Sequence, residues 1–124
     1  MLTPATKLYI GPSSVEGAGR GVFALSRCRL GEELEECHYV LLDETNYKAI
    51  DARLQEYLFA VPPIKSAVVM GFAMAYNHSL HDPNVTWEID EDAKLFRFRA
   101  LRDLVAGEEL FLNYRQRVPA TGAR

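Results

Sequence analysis

Three segments of the sequence carry residue types that could bind a ligand or take part in a reaction. Gly17 to Phe23 reads GAGRGVF, and its alternating glycines would allow the backbone to approach a ligand closely. Tyr76 to Ser79 places the Asn77 amide, both a donor and an acceptor, in a polar turn. Glu109 to Tyr114 ends in a phenolic hydroxyl. Taken singly, each segment is more typical of an ordinary turn or strand end.

The spacing of the reactive residues disfavours three common kinds of site. The glycines do not form the GxGxxG that opens a helix in dinucleotide-binding proteins. His78, Ser79 and Asp82 are near neighbours in sequence, and such neighbours rarely converge in the geometry of a catalytic triad. Cys28 and Cys37 form no CxxC pair and lack the spacing of a structural zinc site, so we expect two reduced thiols and no metal.

The hydrophobic pattern predicts that these segments are positioned mainly by strands. Apolar and polar residues alternate over Val85–Asp90 and again over Lys94–Leu101, which predicts a hairpin with its turn at 91–93. Turn-forming or charged residues bound the other candidates. The further predicted strands are Lys7–Ile10, Gly21–Leu25, Glu33–Leu42 and Leu110–Asn113.

Helical spacing is clear in one segment only. Leu54 and Tyr57 fall on one face of a helix predicted over Asp51–Phe59, which Pro62-Pro63 would end. A second short helix is predicted over Gly71–Asn77. Many short strands with one or two helices indicate a β-rich α+β domain.

The composition predicts one soluble intracellular domain, without resolving cytoplasm from nucleus. With 124 residues, 48% of them hydrophobic and 25% charged, the chain can bury a single core. The net charge of -3 and the lack of a Lys/Arg run disfavour direct nucleic-acid binding. No apolar run is long enough for a signal peptide or a membrane span.

In their order and spacing, the three segments resemble the motifs of the SET-domain lysine methyltransferases. Gly19-Arg20-Gly21 matches the family's GxG, Tyr76 to Ser79 its RFxNHSC motif, and Glu109 to Tyr114 its ELxxDY motif. The resemblance runs from about Val15 to Tyr114 and is closest to the minimal viral-type SET proteins.

The sequence departs from the family pattern at several positions. Asn113 stands for the Asp before the tyrosine, Met74-Ala75 for the Arg-Phe pair, and Leu80 for the Cys after Ser79. The segment after Tyr114 has neither the aromatic residue that closes the lysine channel in many relatives nor zinc-binding cysteines. Tyr57, Trp87 or a second subunit would then have to supply that wall, which leaves a homodimer open.

The resemblance implies a fold, a cofactor and a set of site residues. The fold would be a SET domain (β-clip) of several small curved sheets with a C-terminal pseudoknot. One domain would span residues 1–124, with a core over about 7–117 and a loose tail over 118–124. The residues implied to bind the cofactor S-adenosylmethionine are Gly19, Arg20, Gly21, Asn77 and His78. The catalytic residue would be Tyr114, and the substrate channel would be lined by Leu112, Tyr57 and Tyr76.

The function so implied is methyl transfer from S-adenosylmethionine to a lysine of a histone or another basic protein. In the family, a tyrosine at the position of Leu112 tends to restrict the product to monomethyl-lysine, so Leu112 predicts di- or trimethylation. Glu32, Glu33, Glu35 and Glu36 could attract a basic peptide or could form an ordinary solvated face. Two other functions stay open: an inactive SET-fold module that binds peptides, and a purely structural domain.

Overall fold

The computed structural model describes residues 7–116, which form mostly short strands. The ten strands are β1 Leu8–Pro12, β2 Arg20–Ala24, β3 Glu33–Cys37, β4 Tyr39–Leu42, β5 Phe59–Val61, β6 Lys65–Val69, β7 Asn77–His78, β8 Val85–Asp90, β9 Leu95–Ala100 and β10 Glu109–Leu112. The helical elements are α1 Glu44–Lys48, α2 Ala52–Gln55 and a 3₁₀ turn at Ala73–Ala75. Residue 117 and the predicted tail at 118–124 lie outside the described residues.

The strands form three small sheets, ordered β1-β2-β10-β7, β3-β9-β8 and β4-β6-β5. Neighbouring strands run antiparallel, except that β10 is parallel to β7. This arrangement confirms the predicted β-rich α+β class. None of the helices within residues 7–116 is long and apolar enough to cross a membrane.

Aromatic side chains make up the centre of the core. Phe96 and Phe98 are fully buried on β9, and Trp87 on β8 stacks on Phe96 with 5.1 Å between ring centroids. Phe59 meets all three rings edge-on, at 5.2 to 5.9 Å. Such edge-on contacts are favourable because the positive rim of one ring faces the negative face of another. The core thereby joins the β3-β9-β8 sheet to the β4-β6-β5 sheet.

The predicted hairpin is confirmed by the structure. β8 and β9 pair in continuous register from Val85 opposite Ala100 to Asp90 opposite Leu95. The turn is closed by the Asp90 carboxylate, which accepts a hydrogen bond from the Ala93 N–H at 2.9 Å. The predicted strand over 33–42 is instead two strands in different sheets, β3 and β4, with the break at His38.

The predicted helix over Asp51–Phe59 is wrong in its length. Only Ala52–Gln55 is helical, beginning at an Asp51 cap whose side chain accepts a hydrogen bond from the Arg53 N–H. Phe59 instead opens β5, where it pairs with β6 and enters the aromatic core. Burial of this ring outweighs a helical preference that is worth only tenths of a kcal/mol per residue. The predicted helix over Gly71–Asn77 is a 3₁₀ turn of three residues.

The C-terminal strand β10 lies inside its sheet, between β2 and β7. The segment after β7 follows it, and the Ser79 N–H donates to the Leu112 carbonyl at 2.9 Å. The Asn84 side chain makes two hydrogen bonds to the backbone of β10. Its amide donates to the Glu109 carbonyl at 2.9 Å and accepts from the Phe111 N–H at 2.7 Å. The C-terminal strand is thus inserted between two strands that precede it in the chain.

Candidate active site

The glycine loop between β1 and β2 lies against the start of β10. Gly19 has a φ of +77°, in the left-handed region that favours glycine, and it faces open space. Gly21 is buried, and a Cβ there would lie 2.4 Å from a Glu109 carboxylate oxygen and 2.9 Å from the Asn77 amide nitrogen. Gly21 is therefore required because two polar side chains occupy the space beside its backbone.

Glu109 is the centre of the polar contacts beneath this loop. Its side chain, in a residue only 8% exposed, accepts hydrogen bonds from the Ser13 hydroxyl at 2.6 Å and the Ser14 hydroxyl at 2.7 Å. The Ser14 N–H donates to it at 2.9 Å. Burial by itself would raise the pKa of Glu109, but the hydrogen bonds from Ser13, Ser14 and Asn77 outweigh it and lower that pKa. Glu109 is thus a carboxylate at neutral pH.

The Asn77 amide nitrogen is directed into the protein. It lies 3.1 Å from the Ser13 hydroxyl, 3.0 Å from the Arg20 carbonyl and 3.2 Å from the Glu109 carboxylate. These three acceptors use all of its donor capacity. No residue within 7–116 donates to its carbonyl oxygen. Asn77 therefore offers an unused acceptor beside the glycine loop, where Gly19 and Arg20 are exposed.

His78 connects the end of β7 to the tyrosine at the end of β10. Its Nδ1 accepts a hydrogen bond from the Tyr114 N–H at 2.9 Å, and the two rings lie 4.9 Å apart. His78 thus fixes the backbone direction at Tyr114.

The Tyr114 hydroxyl donates a hydrogen bond to the backbone carbonyl of Tyr76. The ring is 58% exposed overall, yet burial around its hydroxyl, together with the neighbouring Tyr57, raises the pKa of Tyr114. The phenol therefore stays protonated at neutral pH.

Tyr76 takes part through its backbone and not through its ring. Its side chain is 1% exposed and stacks on Phe98, and its hydroxyl donates to the Glu35 carboxylate at 2.7 Å. Burial and the nearby Glu35 charge hold the pKa of Tyr76 well above its ordinary value. The structure thus places the Tyr76 ring in the core and not in the predicted substrate channel.

A cavity of about 150 Å³ opens beside Tyr114. Its walls include Tyr57, Trp87 and the buried Leu112, so it contains both aromatic residues that could replace a C-terminal aromatic wall. Gln116, which also lines the cavity, is hydrogen-bonded to β8. Its amide donates to the Trp87 carbonyl at 2.6 Å and accepts from the Thr86 hydroxyl at 3.1 Å. Pockets for small-molecule ligands usually measure about 300–1,000 Å³, so this cavity suits a single extended side chain.

A larger cavity of about 450 Å³ lies on the other side of Gln116, along β8 and β9. Its basic lining residues are already paired: Arg97 with Glu33 and Asp90, and Arg99 with Glu88. It does not include Tyr114. We therefore assign the chemistry to the smaller cavity.

Partners within the protein account for the acidic residues around β3. Glu32 pairs with Lys7 at 2.9 Å, and Glu33 and Glu36 both pair with Arg97. Glu35 accepts from the Tyr76 hydroxyl. These contacts favour an internal role over attraction of a basic peptide.

Both cysteine thiols are buried, which raises the pKa of each. The Cys37 thiol donates to the Glu35 carboxylate at 3.2 Å. The two residues therefore serve as packing groups in the reduced form.

Sequence reasoning missed the supporting residues Ser13, Ser14, Glu109 and Gln116. Ser13 and Glu109 are 96 positions apart, so no local pattern could have linked them. The signal available was the string GEEL, which occurs at 31–34 and again at 107–110, where its second glutamate, Glu109, is the first residue of a candidate site segment.

Known proteins are similar to this chain over most of its length. The family model of the SET domain matches residues 19–115. A histone-lysine N-methyltransferase of Schizosaccharomyces pombe, H3 lysine-37 specific, is 27% identical over 116 residues, which cover 92% of this chain and 78% of that protein.

Solved structures are similar over nearly the whole chain. The crystal structure of a Plasmodium falciparum candidate histone methyltransferase superposes with a TM-score of 0.76 at 27% identity, covering 90% of this chain and 96% of that one. The Polycomb Repressive Complex 2 of Chaetomium thermophilum, bound to S-adenosylmethionine, gives 0.75 at 25% identity, covering 94% of this chain and 16% of that one. These likenesses confirm the predicted fold. With a family model that matches most of its length, the chain belongs to the SET-domain family.

Proposed function

We propose that this protein transfers a methyl group from S-adenosylmethionine to a lysine side chain of a histone or another basic protein, as one SET domain. The observation that carries the proposal is the position of the Tyr114 hydroxyl. Tyr114 lines the cavity of about 150 Å³, and its hydroxyl donates to the carbonyl of Tyr76, the residue before Asn77. Relatedness to histone-lysine methyltransferases supports the same function.

The residues around Asn77 suit the amino-acid part of S-adenosylmethionine. The unused Asn77 carbonyl oxygen is an acceptor for an ammonium group. Gly19, Arg20 and Gly21 would contribute backbone groups, because the loop is exposed and Gly19 leaves open space. His78 would contribute its backbone at the exposed end of β7.

When bound, S-adenosylmethionine supplies a methyl group on a positively charged sulfur, which is a good leaving group. The protein has to align the amine with that methyl, and orientation can contribute up to about 7–11 kcal/mol. At pH 7 fewer than about one free lysine in a thousand is neutral. Leu112, Trp87 and the ring of Tyr57 would lower the lysine pKa by removing water from around it. Tyr114 and the Tyr76 carbonyl then orient the groups that react.

The first test is direct. Binding of S-adenosylmethionine is measured by calorimetry, and transfer is measured with radiolabelled cofactor on a panel of histones, with mass spectrometry of the labelled protein. We expect micromolar-range binding and label on lysine. Binding without transfer to any substrate would favour the inactive peptide-binding module, and absence of binding would contradict the proposal.

The rate should rise with pH. At saturating cofactor, we expect kcat to increase from pH 7 to about pH 9 as the lysine amine loses its proton. Tyr114 should not reverse this rise, because its pKa is raised above the ordinary value of 10.0 and the hydroxyl stays protonated throughout. A fall in kcat below pH 9 that disappears in Tyr114→Phe would show that the hydroxyl ionises early.

Leu112 should permit more than one methylation. Its side chain is apolar, lines the cavity and offers no hydrogen bond that could hold a water in the space that a methylated amine needs. We expect dimethyl- or trimethyl-lysine from the wild type, and a shift toward monomethyl-lysine in Leu112→Tyr. Mass spectrometry of a long reaction at excess cofactor decides this, and a wild type that stops at monomethyl-lysine would contradict it.

A further inference from the structure

The hydrogen bonds beneath the glycine loop fix the orientation of the Asn77 amide, which the proposed function does not by itself explain. Within residues 7–116, the Glu109 carboxylate accepts four hydrogen bonds. The donors are the Ser13 hydroxyl, the Ser14 hydroxyl, the Ser14 N–H and the Asn77 amide. An ionised carboxylate can only accept hydrogen bonds. The side of Asn77 that faces Glu109 must therefore be its NH₂ group.

We propose that Glu109, with Ser13, is the positioning residue that fixes which way the Asn77 amide faces, so that its carbonyl oxygen is presented to the ammonium group of S-adenosylmethionine. This inference rests on the proposed function. An asparagine amide can turn over at little cost unless its neighbours distinguish its oxygen from its nitrogen. Here the Glu109 carboxylate and the Arg20 carbonyl both make that distinction.

The surroundings leave little freedom for another arrangement. Glu109 is buried, and Gly21 provides the space in which its carboxylate meets the Asn77 amide. Ser13 closes the cluster, because its hydroxyl donates to Glu109 at 2.6 Å and accepts from Asn77 at 3.1 Å. Turned over, the Asn77 oxygen would face two acceptors, and its NH₂ group would meet the cofactor's ammonium, donor against donor.

An exchange of the acid and the amide tests the inference. Asn77→Asp places a second carboxylate about 3 Å from Glu109, so we expect the Kd for S-adenosylmethionine to rise about 100-fold. Glu109→Gln removes the charged acceptor and leaves the Arg20 carbonyl to fix the Asn77 amide, so we expect the Kd to rise about tenfold. In Asn77→Asp/Glu109→Gln the amide introduced at position 109 donates to the new carboxylate, and its oxygen accepts from Ser14. We expect this double variant to bind at least about tenfold more tightly than Asn77→Asp alone.

The neighbouring acid provides the matched control. Glu108 differs from Glu109 by one position, but its carboxylate accepts from Arg102, the Val105 N–H and Asn84 and not from Asn77. Asn77→Asp/Glu108→Gln should therefore show no recovery. Two results would overturn the inference. One is tighter binding in Asn77→Asp/Glu108→Gln as well as in Asn77→Asp/Glu109→Gln. The other is a Kd of Asn77→Asp/Glu109→Gln that rises by the product of the two single-variant increases.

Two further measurements separate this inference from folding and from the proposed function. Thermal unfolding without cofactor should show the same coupling between positions 77 and 109. This measurement tests the contact even if the wild type binds no cofactor. Absence of cofactor binding in the wild type would contradict the proposed function alone. If Asn77→Asp does not fold, Ser13→Ala replaces it. We expect its Kd to rise about three- to tenfold with an unfolding temperature near that of the wild type, and an unchanged Kd would overturn the inference.

Discussion

Tyr114→Phe is expected to lower kcat at least about 100-fold while S-adenosylmethionine binding stays within about twofold of the wild type. The variant keeps the ring and its contact with His78 and removes only the hydroxyl that donates to the Tyr76 carbonyl. The loss should therefore appear in turnover and not in cofactor affinity. Single-turnover transfer assays and calorimetry on the same preparations measure the two quantities.

Tyr47→Phe is the matched control for that change. Tyr47 lies on α1, away from the cavity beside Tyr114, and should give wild-type kcat. The free energy of unfolding of Tyr114→Phe should fall by less than about 1 kcal/mol, because the ring is more than half exposed. Wild-type turnover in Tyr114→Phe would show that the tyrosine only packs at the end of the strand.

Asn84→Ala is expected to lower the free energy of unfolding by about 2–4 kcal/mol. The side chain is 1% exposed, and its removal leaves the Glu109 carbonyl and the Phe111 N–H without their hydrogen-bond partner at the inserted strand β10. Because β10 carries Glu109 and leads into Tyr114, transfer activity should be lost at a lower temperature as well. Denaturant unfolding followed by circular dichroism provides the measurement.

Asn46→Ala makes the same chemical change at an exposed helix cap. Asn46 completes a capping box with Asp43 at the start of α1, and its loss should cost about 0.5–1 kcal/mol. Equal and small losses in the two variants would contradict the view that Asn84 holds the C-terminal strand in place.

Several parts of the fold were determined by the sequence itself, because they depend on patterns among neighbouring residues. The alternation over 85–101 predicted the β8–β9 hairpin, because an alternating pattern places one set of side chains on each face of a strand whatever the rest of the chain does. The strands around 8–12, 20–24 and 109–112 were predicted within a few residues because turn-forming or charged residues bound them. The order of three short motifs indicated the SET family before any contact was known.

Elements that depend on distant partners were not predictable in this way. Phe59 belongs to a strand and not to the end of a helix because its ring packs edge-on against Trp87, Phe96 and Phe98. Strands β5 and β6 were absent from the prediction, since Lys65–Val69 shows no clear alternation and gains its pairing from both neighbours. In each case the free energy of burying side chains outweighs a weak local preference.

The same division holds for the candidate site. The sequence determined that Gly19, Asn77 and Tyr114 belong to motifs of one family, but the arrangement that joins them was decided by the tertiary structure. β10 lies between β2 and β7, and this placement brings Ser13 and Asn77 to the Glu109 carboxylate and turns the Tyr76 carbonyl, not its ring, toward Tyr114. Hydrogen bonds need donor and acceptor within about 3 Å. Residues up to 96 positions apart meet at that distance only because the strands between them pair in one register.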